Sequence, residues 1–211
     1  MLTEVSILPI QSVYSIDNHI ITAEVLNEEP LILKFNNVLS DEECQALINS
    51  ATSRLQRSKL ASKEVNQIRT SSGMFFEENE SPLIHEIEKR IAKLMHLPIE
   101  NAEGLQVLHY EPGQEFKAHF DYFGPNHPSS SNNRISTLVM YLNDVEEGGA
   151  TTFPNLDLSN APAKGSAVYF EYFYNDPKIN ELPLHSGDPV IRGEKWIATQ
   201  WMRKKQIRER Y

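Results

Sequence analysis

Hydrophobic residues in the first third of the chain change their spacing once, at Ser40. Before it, short apolar runs such as 20–21 and 31–33 are interrupted by asparagine and proline, a pattern that predicts short strands. Ser40 and Glu43 then form a capping box. The apolar residues that follow share one helical face: Cys44, Leu47, Ile48, Ala51 and Leu55. A first helix is therefore expected to begin directly after Ser40.

A second helix is predicted to begin at Ser81 and Pro82, which suit the N-cap and the first helical position. Its apolar stripe consists of Leu83, Ile84, Ile87, Ile91 and Leu94. The polar stretch 57–79, between the two helices, mixes strand-like and loop-like pieces and allows no assignment.

From Leu105 onward the pattern is that of an all-β segment. β-Branched and aromatic residues are concentrated in four runs, 105–110, 135–142, 167–173 and 195–202, which glycine- and proline-containing turns separate. Many short strands of this kind indicate a sandwich or barrel, and the preceding helices are expected to pack on one sheet. The expected fold class is α+β, mainly β.

No linker or internal repeat divides the chain, so residues 1–211 are expected to form one domain. Strands and supporting helices are expected in 1–104 and the all-β core in 105–203. The stretch 124–133, GPNHPSSSNN, is too polar to be buried and is predicted to be a mobile loop.

The composition excludes several classes of function. With 20 lysines and arginines against 29 aspartates and glutamates, the net charge is -9, which disfavours broad binding of nucleic acid. No run of about 18 apolar residues occurs, and Glu4 stands where a signal peptide carries a basic residue. We therefore expect a cytoplasmic protein that does not interact with membranes. The single cysteine, Cys44, excludes an internal disulfide and a thiolate zinc cage, so any metal must be held by histidine and carboxylate.

The candidate chemistry begins with His119 and Asp121. Residues two apart on a strand project to the same face, so this spacing directs an imidazole and a carboxylate toward one point. The motif alone is weak, because a hydrogen-bonded structural pair gives the same pattern. His109 and Glu111 repeat it, and there the glutamate is expected to turn away at the following Pro-Gly.

His185 lies among apolar residues, as on a barrel strand, and Lys195 follows ten residues later. Two histidines and one aspartate would occupy one face of an octahedron and leave three positions open, the arrangement of non-haem Fe(II) oxygenases. A lysine buried beside such a site needs an anionic partner, which a co-substrate carboxylate supplies. A solvated strand end is the alternative interpretation of Lys195.

The sequence resembles the prolyl 4-hydroxylases of the Fe(II)/2-oxoglutarate dioxygenase superfamily, in particular bacterial single-domain relatives of the collagen-type catalytic subunit. The similarity extends from about residue 31 to 202. It includes LSDEECQALINSA, IRTSSGMFF, LQVLHYEPGQEFKAHFDYF, NNRISTLVMYLNDVEEGGATTFP, AKGSAVYFEYF and LHSGDPVIRGEKWIATQW. His119, Asp121, His185 and Lys195 coincide with the family pattern H-x-D…H…K, and the ten-residue spacing before the lysine is kept.

The resemblance implies a double-stranded β-helix (jelly roll) in which His119, Asp121 and His185 hold Fe(II). It implies that 2-oxoglutarate chelates this iron and pairs its C5 carboxylate with Lys195. The implied reaction hydroxylates peptidyl proline at C4 while 2-oxoglutarate and O2 yield succinate and CO2, with L-ascorbate as the reductant.

Further contacts follow from the resemblance as expectations. Tyr110 and Thr151 are expected to bind the C5 carboxylate, although the neighbouring Thr152 competes for that role. Arg134 and Trp201 match residues near the peptide substrate, with a solvated charge and a core indole as the respective structural alternatives.

Two positions depart from the collagen-type pattern, since Phe116 replaces a common tyrosine and Arg203 a common histidine. Both bear on the peptide preference rather than on the iron chemistry, and Phe116 is expected to lie at the peptide groove.

The polar loop 124–133 is expected to act as a lid at the mouth of the site, and the stretch 57–79 as a second one.

Other functions stay open. Within the superfamily the substrate could be a free amino acid, a lysyl peptide or an alkylated base. The acidic charge counts against the base, and Lys195 counts against lysyl hydroxylases, which hold 2-oxoglutarate with arginine. A non-catalytic cupin-like module would lack the intact ligand set, and no motif supplies the glutamate base of a zinc hydrolase. The expectation is an enzyme that acts on a proline-containing peptide, alone or as a homodimer.

Overall fold

The N-terminal part of the chain supplies three strands and one helix to the fold. A computed structural model describes residues 5–58 and 68–209. It places β1 at Val13–Ile16, β2 at His19–Glu28, β3 at Leu31–Asn36 and helix α1 at Asp41–Thr52. The predicted capping box is present: the hydroxyl of Ser40 accepts from the backbone N–H of Glu43, whose carboxylate accepts from the Ser40 N–H.

The second predicted helix is also confirmed. Helix α2 is Pro82–Leu94, and the Ser81 hydroxyl accepts from the N–H of Ile84. Two short strands precede it, β4 (Gln56–Arg57) and β5 (Ser72–Phe75). Residues 59–67, in the stretch left unassigned, lie outside the described residues.

The remainder of the described chain is mostly strand, as expected from the all-β pattern. The strands are β6 (Gln106–Tyr110), β7 (Phe116–His119), β8 (Arg134–Tyr141), β9 (Glu147–Gly148), β10 (Thr151–Phe153), β11 (Leu158–Asn160), β12 (Ala167–Glu171), β13 (His185–Gly187), β14 (Val190–Arg192) and β15 (Lys195–Arg203). A short helix α3 (Pro177–Glu181) precedes β13, and single 3-10 turns occur at Ile99–Asn101, Ser130–Asn132 and Pro154–Leu156. The four predicted runs correspond to β6, β8, β12 and β15.

Two antiparallel sheets carry the architecture. The larger has the order β1-β2-β3-β12-β8-β15-β6-β5-β4 and the smaller the order β11-β10-β13-β7, while β14 pairs with β9 alone. Because β3 pairs with β12, the N-terminal strands extend the same sheet as the later ones. This is the mainly β arrangement of a double-stranded β-helix with supporting helices.

Alternate side chains of the large sheet enter two separate cores. Leu33 and Phe35 of β3 pack in a core that includes Leu47 of α1 and Ile87 of α2. The intervening Ile32 belongs to a second core with Tyr141 of β8, Phe153 of β10 and Phe170 of β12. The helices thus cover one face and the small sheet covers the other, and the functional site lies between the sheets. Within 5–58 and 68–209, no helix has the length and apolar character needed to cross a membrane.

Candidate active site

Strand pairing brings the three predicted metal ligands together. Strands β7 and β13 are antiparallel with His119 opposite His185, and Asp121 follows β7 by two residues. His119 Nε2 lies 3.4 Å from Asp121 Oδ1, and His185 Nε2 lies 3.8 Å from Asp121 Oδ2. One ligand atom from each of the three residues lies within 4.8 Å of the others, close enough to share one metal ion.

Each imidazole is oriented by the backbone carbonyl two residues before it. His119 Nδ1 donates to the Lys117 carbonyl at 2.9 Å, and His185 Nδ1 donates to the Pro183 carbonyl at 3.1 Å. A carbonyl can only accept, so Nδ1 carries a proton in both residues, and in the neutral imidazole the lone pair is on Nε2, the nitrogen on the side of Asp121. Interactions of this kind fix the tautomer of metal-binding histidines.

Burial and charge prepare these groups for a cation. Burial, with a smaller effect of neighbouring His119, lowers the pKa of His185 to about 4, which keeps its imidazole neutral. Burial acts to raise the pKa of Asp121, but the nearby His185 and His119 outweigh it and hold that pKa below its usual range. Thr137 also donates a 2.7 Å hydrogen bond to Asp121 Oδ2. The donor set is two imidazoles and one carboxylate, which fits Fe(II) with open positions for other ligands.

Lys195 lies in a narrow cavity whose wall also contains the three ligand side chains. It is 2% exposed, so the alternative of a solvated strand end is wrong. Its Nζ lies 5.5 Å from the Tyr110 ring centroid and 5.8 Å from that of Tyr141, and within 5–58 and 68–209 it forms no ion pair. Burial lowers the pKa of Lys195 to about 8, with Asp188 acting weakly in the opposite direction.

Space for the Lys195 side chain depends on a glycine. Gly149 has φ +70°, and a Cβ there would lie 3.2 Å from Lys195 Cδ, closer than nearly all real Cβ contacts. The ammonium extends into a cavity in which no carboxylate of the described part of the chain pairs with it. A small dianion that reaches from the metal to Lys195 would provide the missing partner.

Thr151 faces this cavity and Thr152 does not. Thr151 is buried, lines the cavity and accepts a 2.7 Å hydrogen bond from the Tyr141 hydroxyl. Thr152 instead donates to Asp188 at 2.7 Å. Asn160 donates to the Tyr141 oxygen at 3.1 Å, so the hydroxyl protons are aligned from Asn160 through Tyr141 to Thr151. The Thr151 proton is thereby left available for a carboxylate near Lys195, and the preference for Thr151 over Thr152 agrees with the structure.

Outside this cavity a cleft of about 1150 Å³ opens above the metal ligands. Phe116 and Trp201 line both spaces. Phe116 stacks on His119 with ring centroids 3.5 Å apart. Trp201 is 6% exposed, and its buried indole N–H has no hydrogen-bond partner within 5–58 and 68–209. Both predicted substrate contacts therefore lie at the boundary between the inner cavity and the cleft.

Arg134 also lines the cleft, but its charge is committed to the protein. Its Nε and Nη2 donate to the two carboxylate oxygens of Glu103 at 2.7 Å each, and its Nη1 donates to the Asp121 carbonyl at 3.3 Å. The guanidinium lies 4.0 Å from the Trp201 ring centroid. Burial opposes both charges, yet the ion pair raises the pKa of Arg134 and lowers the pKa of Glu103. Arg203, a departure from the family pattern, completes this network at 2.9 Å from Glu103.

Sequence reasoning assigned no role to Arg69, which belongs to the site. Arg69 is 8% exposed, and its guanidinium lies 4.9 Å from the Phe116 ring centroid and donates to Gln106 at 3.0 Å. It lines both the cavity and the cleft. The sequence signal that could have identified Arg69 was its place in the segment IRTSSGMFF, where a cation lies within a strand-like run. By contrast, His109, which with Glu111 repeats the spacing of His119 and Asp121, pairs with Glu194 at 2.8 Å and lines neither the cavity nor the cleft.

The loop 124–133 lies at the cleft as predicted, with Gly124 and His127 in the cleft wall. Two hydrogen bonds between Asn133 and Phe123 close the base of the loop at 2.7 and 2.8 Å. Its mobility and its action as a lid stay predictions. Of the second proposed lid, 57–58 and 68–79 are described and contribute Arg57 to the cleft wall, while 59–67 lie outside the described residues.

Comparison with known proteins agrees with this geometry. Residues 105–203 match the family model of the 2OG-Fe(II) oxygenase superfamily. The chain is 39% identical over 204 residues to probable prolyl 4-hydroxylase 3 of Arabidopsis thaliana, a match that covers 85% of this chain and 71% of the relative. The structure is similar to that of a viral collagen prolyl hydroxylase of Paramecium bursaria Chlorella virus-1 solved in complex with 2OG. That likeness has a TM-score of 0.66 and 33% identity and covers 82% of this chain and 95% of the other.

A more distant likeness concerns the fold alone. A prolyl-4-hydroxylase of Pseudomonas putida is 18% identical, with a TM-score of 0.61 and coverage of 82% of this chain and 92% of that one. Identity and coverage in the Arabidopsis relative are high enough to decide the family. The chain belongs to the prolyl 4-hydroxylases of the 2OG-Fe(II) oxygenase superfamily, and it is a 2-oxoglutarate-dependent dioxygenase.

Proposed function

We propose that this enzyme hydroxylates peptidyl proline to 4-hydroxyproline with Fe(II), O2 and 2-oxoglutarate. The observation that carries the proposal is the Lys195 ammonium, which is buried in the cavity whose wall also contains the candidate metal ligands and has no carboxylate partner among the described residues. The names of the related prolyl hydroxylases support proline as the target.

His119, Asp121 and His185 would hold the metal through Nε2, a carboxylate oxygen and Nε2. When bound, Fe(II) with O2 and 2-oxoglutarate supplies the oxidative decarboxylation that yields succinate, CO2 and the hydroxyl oxygen. Lys195 and Thr151 would bind the distal carboxylate by an ion pair and a hydrogen bond, which determines how far the co-substrate reaches. The chain's own contribution is to bind, to orient and to exclude water.

The cleft suits a prolyl ring because its inner wall is aromatic. Phe116, which stacks on His119, and Trp201 line the cleft with aromatic carbon, against which an apolar pyrrolidine packs without needing a hydrogen-bond partner. Among the described residues the buried indole N–H of Trp201 has no hydrogen-bond partner, and a carbonyl of the peptide would supply one. Arg134 acts as a positioning residue, because it holds the carbonyl of Asp121 while Glu103 neutralises its charge.

The test is aerobic incubation with Fe(II), 2-oxoglutarate and proline-rich peptides, followed by mass spectrometry and succinate determination. We expect an increase of about 16 mass units on a prolyl residue, because one oxygen atom is inserted, with one succinate per hydroxylation. The His119→Ala variant is the matched control and is expected to form neither product. Succinate formation coupled only to hydroxylation of another residue or of a free amino acid would overturn the proline assignment.

We also propose L-ascorbate as the reductant, a cytoplasmic location and a homodimer. Family resemblance supports ascorbate, whose omission is expected to lower the number of turnovers before inactivation. The single cysteine, Cys44, is free and buried, as suits a reducing compartment, and cell fractionation tests the location.

Strand β1 is an edge of the large sheet beside exposed Val13 and Ile20, a surface that a second copy could cover. Sedimentation equilibrium tests the dimer.

A further inference from the structure

Of the three candidate metal ligands, Asp121 is the one that does not lie on a strand. It follows β7 by two residues, whereas His119 and His185 are strand residues whose rings are oriented by backbone carbonyls. A carboxylate can give a metal ion one oxygen or both. The number of oxygens that Asp121 gives therefore depends on what else holds its carboxylate in place.

The two oxygens of Asp121 are held differently. Each lies near an imidazole nitrogen of the site, Oδ1 at 3.4 Å from His119 Nε2 and Oδ2 at 3.8 Å from His185 Nε2, so both are close to the place of a shared metal ion. Oδ2 also accepts a 2.7 Å hydrogen bond from the Thr137 hydroxyl. This hydroxyl holds one of the two oxygens and leaves Oδ1 for the metal.

A second hydroxyl fixes the direction of that hydrogen bond. Thr137 has a single hydroxyl proton, and an ionised carboxylate can only accept, so this proton is committed to Asp121. The Tyr172 hydroxyl lies 2.6 Å from Thr137 Oγ1 and is therefore the donor in that contact. All three side chains are buried, so bulk water does not compete for these bonds. The result is a directed chain from Tyr172 through Thr137 to Asp121 Oδ2.

The two donors are supported by the middle of the large sheet. Strand β8 lies between β12 and β15, and Thr137 pairs with Phe170 on one side and Trp201 on the other. Tyr172 directly follows β12, and its N–H donates to the Ile135 carbonyl, which makes it a diagonal neighbour of Thr137. Groups carried by strands hold a ligand more precisely than groups on loops. The sheet thus supplies the precision that the position of Asp121 after β7 does not.

We propose that Thr137 and Tyr172 are positioning residues that keep Asp121 Oδ2 away from the metal, so that Asp121 binds it through Oδ1 alone. The proposal rests on the metal site of the proposed function and not on proline as the substrate. An octahedral ion held by three protein atoms has three further positions, two for 2-oxoglutarate and one for O2. A second oxygen of Asp121 would fill one of these positions and compete with O2.

The alternative is that the two hydroxyls only satisfy each other and the buried carboxylate, since most buried polar groups are hydrogen bonded. Loss of the chain would then lower the free energy of unfolding and leave the ligands of the metal unchanged. The two interpretations differ in how many water molecules a bound metal ion keeps.

The first measurement counts these waters with Mn(II) and 2-oxoglutarate, without O2 and without peptide. Water-proton relaxation reports the waters bound directly to Mn(II). The native enzyme should keep one such water, in the position that O2 would use. Thr137→Val, which removes the hydroxyl from a side chain of similar shape, should keep none. Thr137→Ser retains the hydroxyl and should restore the water.

The second measurement is steady-state kinetics with O2 as the varied substrate. Thr137→Val should raise the KM for O2 about tenfold with kcat at saturating O2 unchanged, because Oδ2 then competes for that position. Tyr172→Phe leaves the Thr137 hydroxyl without its donor and should change both readouts in the same direction, by less. Ser136→Ala is the matched control and should change neither, because this buried hydroxyl of β8 is on the opposite face of the sheet.

Three results would overturn the positioning role. They are a Thr137→Val enzyme that keeps the Mn(II)-bound water, a Ser136→Ala enzyme that loses it, and a Thr137→Ser enzyme that fails to restore it. If Thr137→Val does not fold, as judged by circular dichroism, Tyr172→Phe decides, and an unchanged water count and KM for O2 would again overturn the role. The water count needs neither O2 nor peptide, so failure to hydroxylate proline contradicts the proposed function and not this inference.

Discussion

Two buried cations lie at opposite ends of the site, and they differ in how their charge is balanced. Arg134, at the cleft, is held by both oxygens of Glu103 at 2.7 Å, and this ion pair raises its pKa despite burial. Lys195, in the inner cavity, has no such partner, and burial lowers its pKa to about 8. A buried ion pair offsets much of the cost of removing its charges from water, whereas an unpaired buried charge makes the protein less stable until an anion binds. The difference indicates that Arg134 has a structural role and that Lys195 binds a ligand.

The largest effect is expected when the paired cation loses its partner. Glu103→Gln leaves Arg134 and Arg203 buried without a carboxylate and should lower the free energy of unfolding by about 3–5 kcal/mol, measured by urea denaturation. Glu146→Gln is the control, because its partner Arg192 is exposed, and it should cost less than about 1 kcal/mol. Equal costs for the two variants would contradict the role assigned to Glu103.

Removal of the unpaired cation should have the opposite sign. Lys195→Met takes a charge out of an apolar cavity and should raise the free energy of unfolding of the ligand-free protein by up to about 3 kcal/mol at pH 7. Binding of 2-oxoglutarate in the presence of Mn(II), measured by calorimetry without O2, should weaken at least about a hundredfold. Lys89→Met, at an exposed lysine, should change neither quantity. A Lys195→Met protein that binds 2-oxoglutarate normally would remove the basis for the proposed function.

The lowered pKa of Lys195 predicts how 2-oxoglutarate binding depends on pH. In the ligand-free protein Lys195 loses its proton near pH 8, whereas a bound carboxylate favours the protonated form, so binding takes up a proton above that pH. The dissociation constant of 2-oxoglutarate should therefore be flat below pH 8 and rise about tenfold per pH unit above it. Without ligand, stability should increase with pH between about 8 and the ordinary lysine pKa, because the unfolded chain then binds more protons. A dissociation constant that stays flat up to pH 10 would contradict the assignment.

The smallest effect concerns the neutral group beside Lys195. Tyr141→Phe removes the donor to Thr151 and should raise the KM for 2-oxoglutarate about fivefold, near 1 kcal/mol, with kcat unchanged. Thr152→Ala serves as the control because that side chain faces Asp188 instead. Equal changes in the two variants would show that the Asn160, Tyr141 and Thr151 chain does not orient the co-substrate.

The residues of the site differed in how far sequence could predict them. His119 and Asp121 follow from the two-residue period of a strand, which is a local property. His185 required either the pairing of β7 with β13 or the family resemblance, because nothing near it in the chain indicates a ligand. The choice between Thr151 and Thr152 depended on which of two adjacent side chains faces the inner core, and that is decided by sheet packing.

The balance of charge around Arg134 could not be derived from sequence. Glu103 belongs to the segment before β6, and no periodicity connects it with the start of β8. The overall division into helices followed by strands was predictable, because capping and apolar spacing are local. The partner of each buried charge was not, because long-range contacts depend on how the strands are ordered in the sheet.

The length of strand β15 matters because its two faces have different neighbours. Lys195, Ile197, Thr199 and Trp201 all line the inner cavity, while Ala198 and Met202 face the helices. At about 3.4 Å per residue the strand measures roughly 20 Å from the co-substrate anchor to the substrate cleft. An inserted or deleted codon within it would exchange the two faces and remove several contacts together.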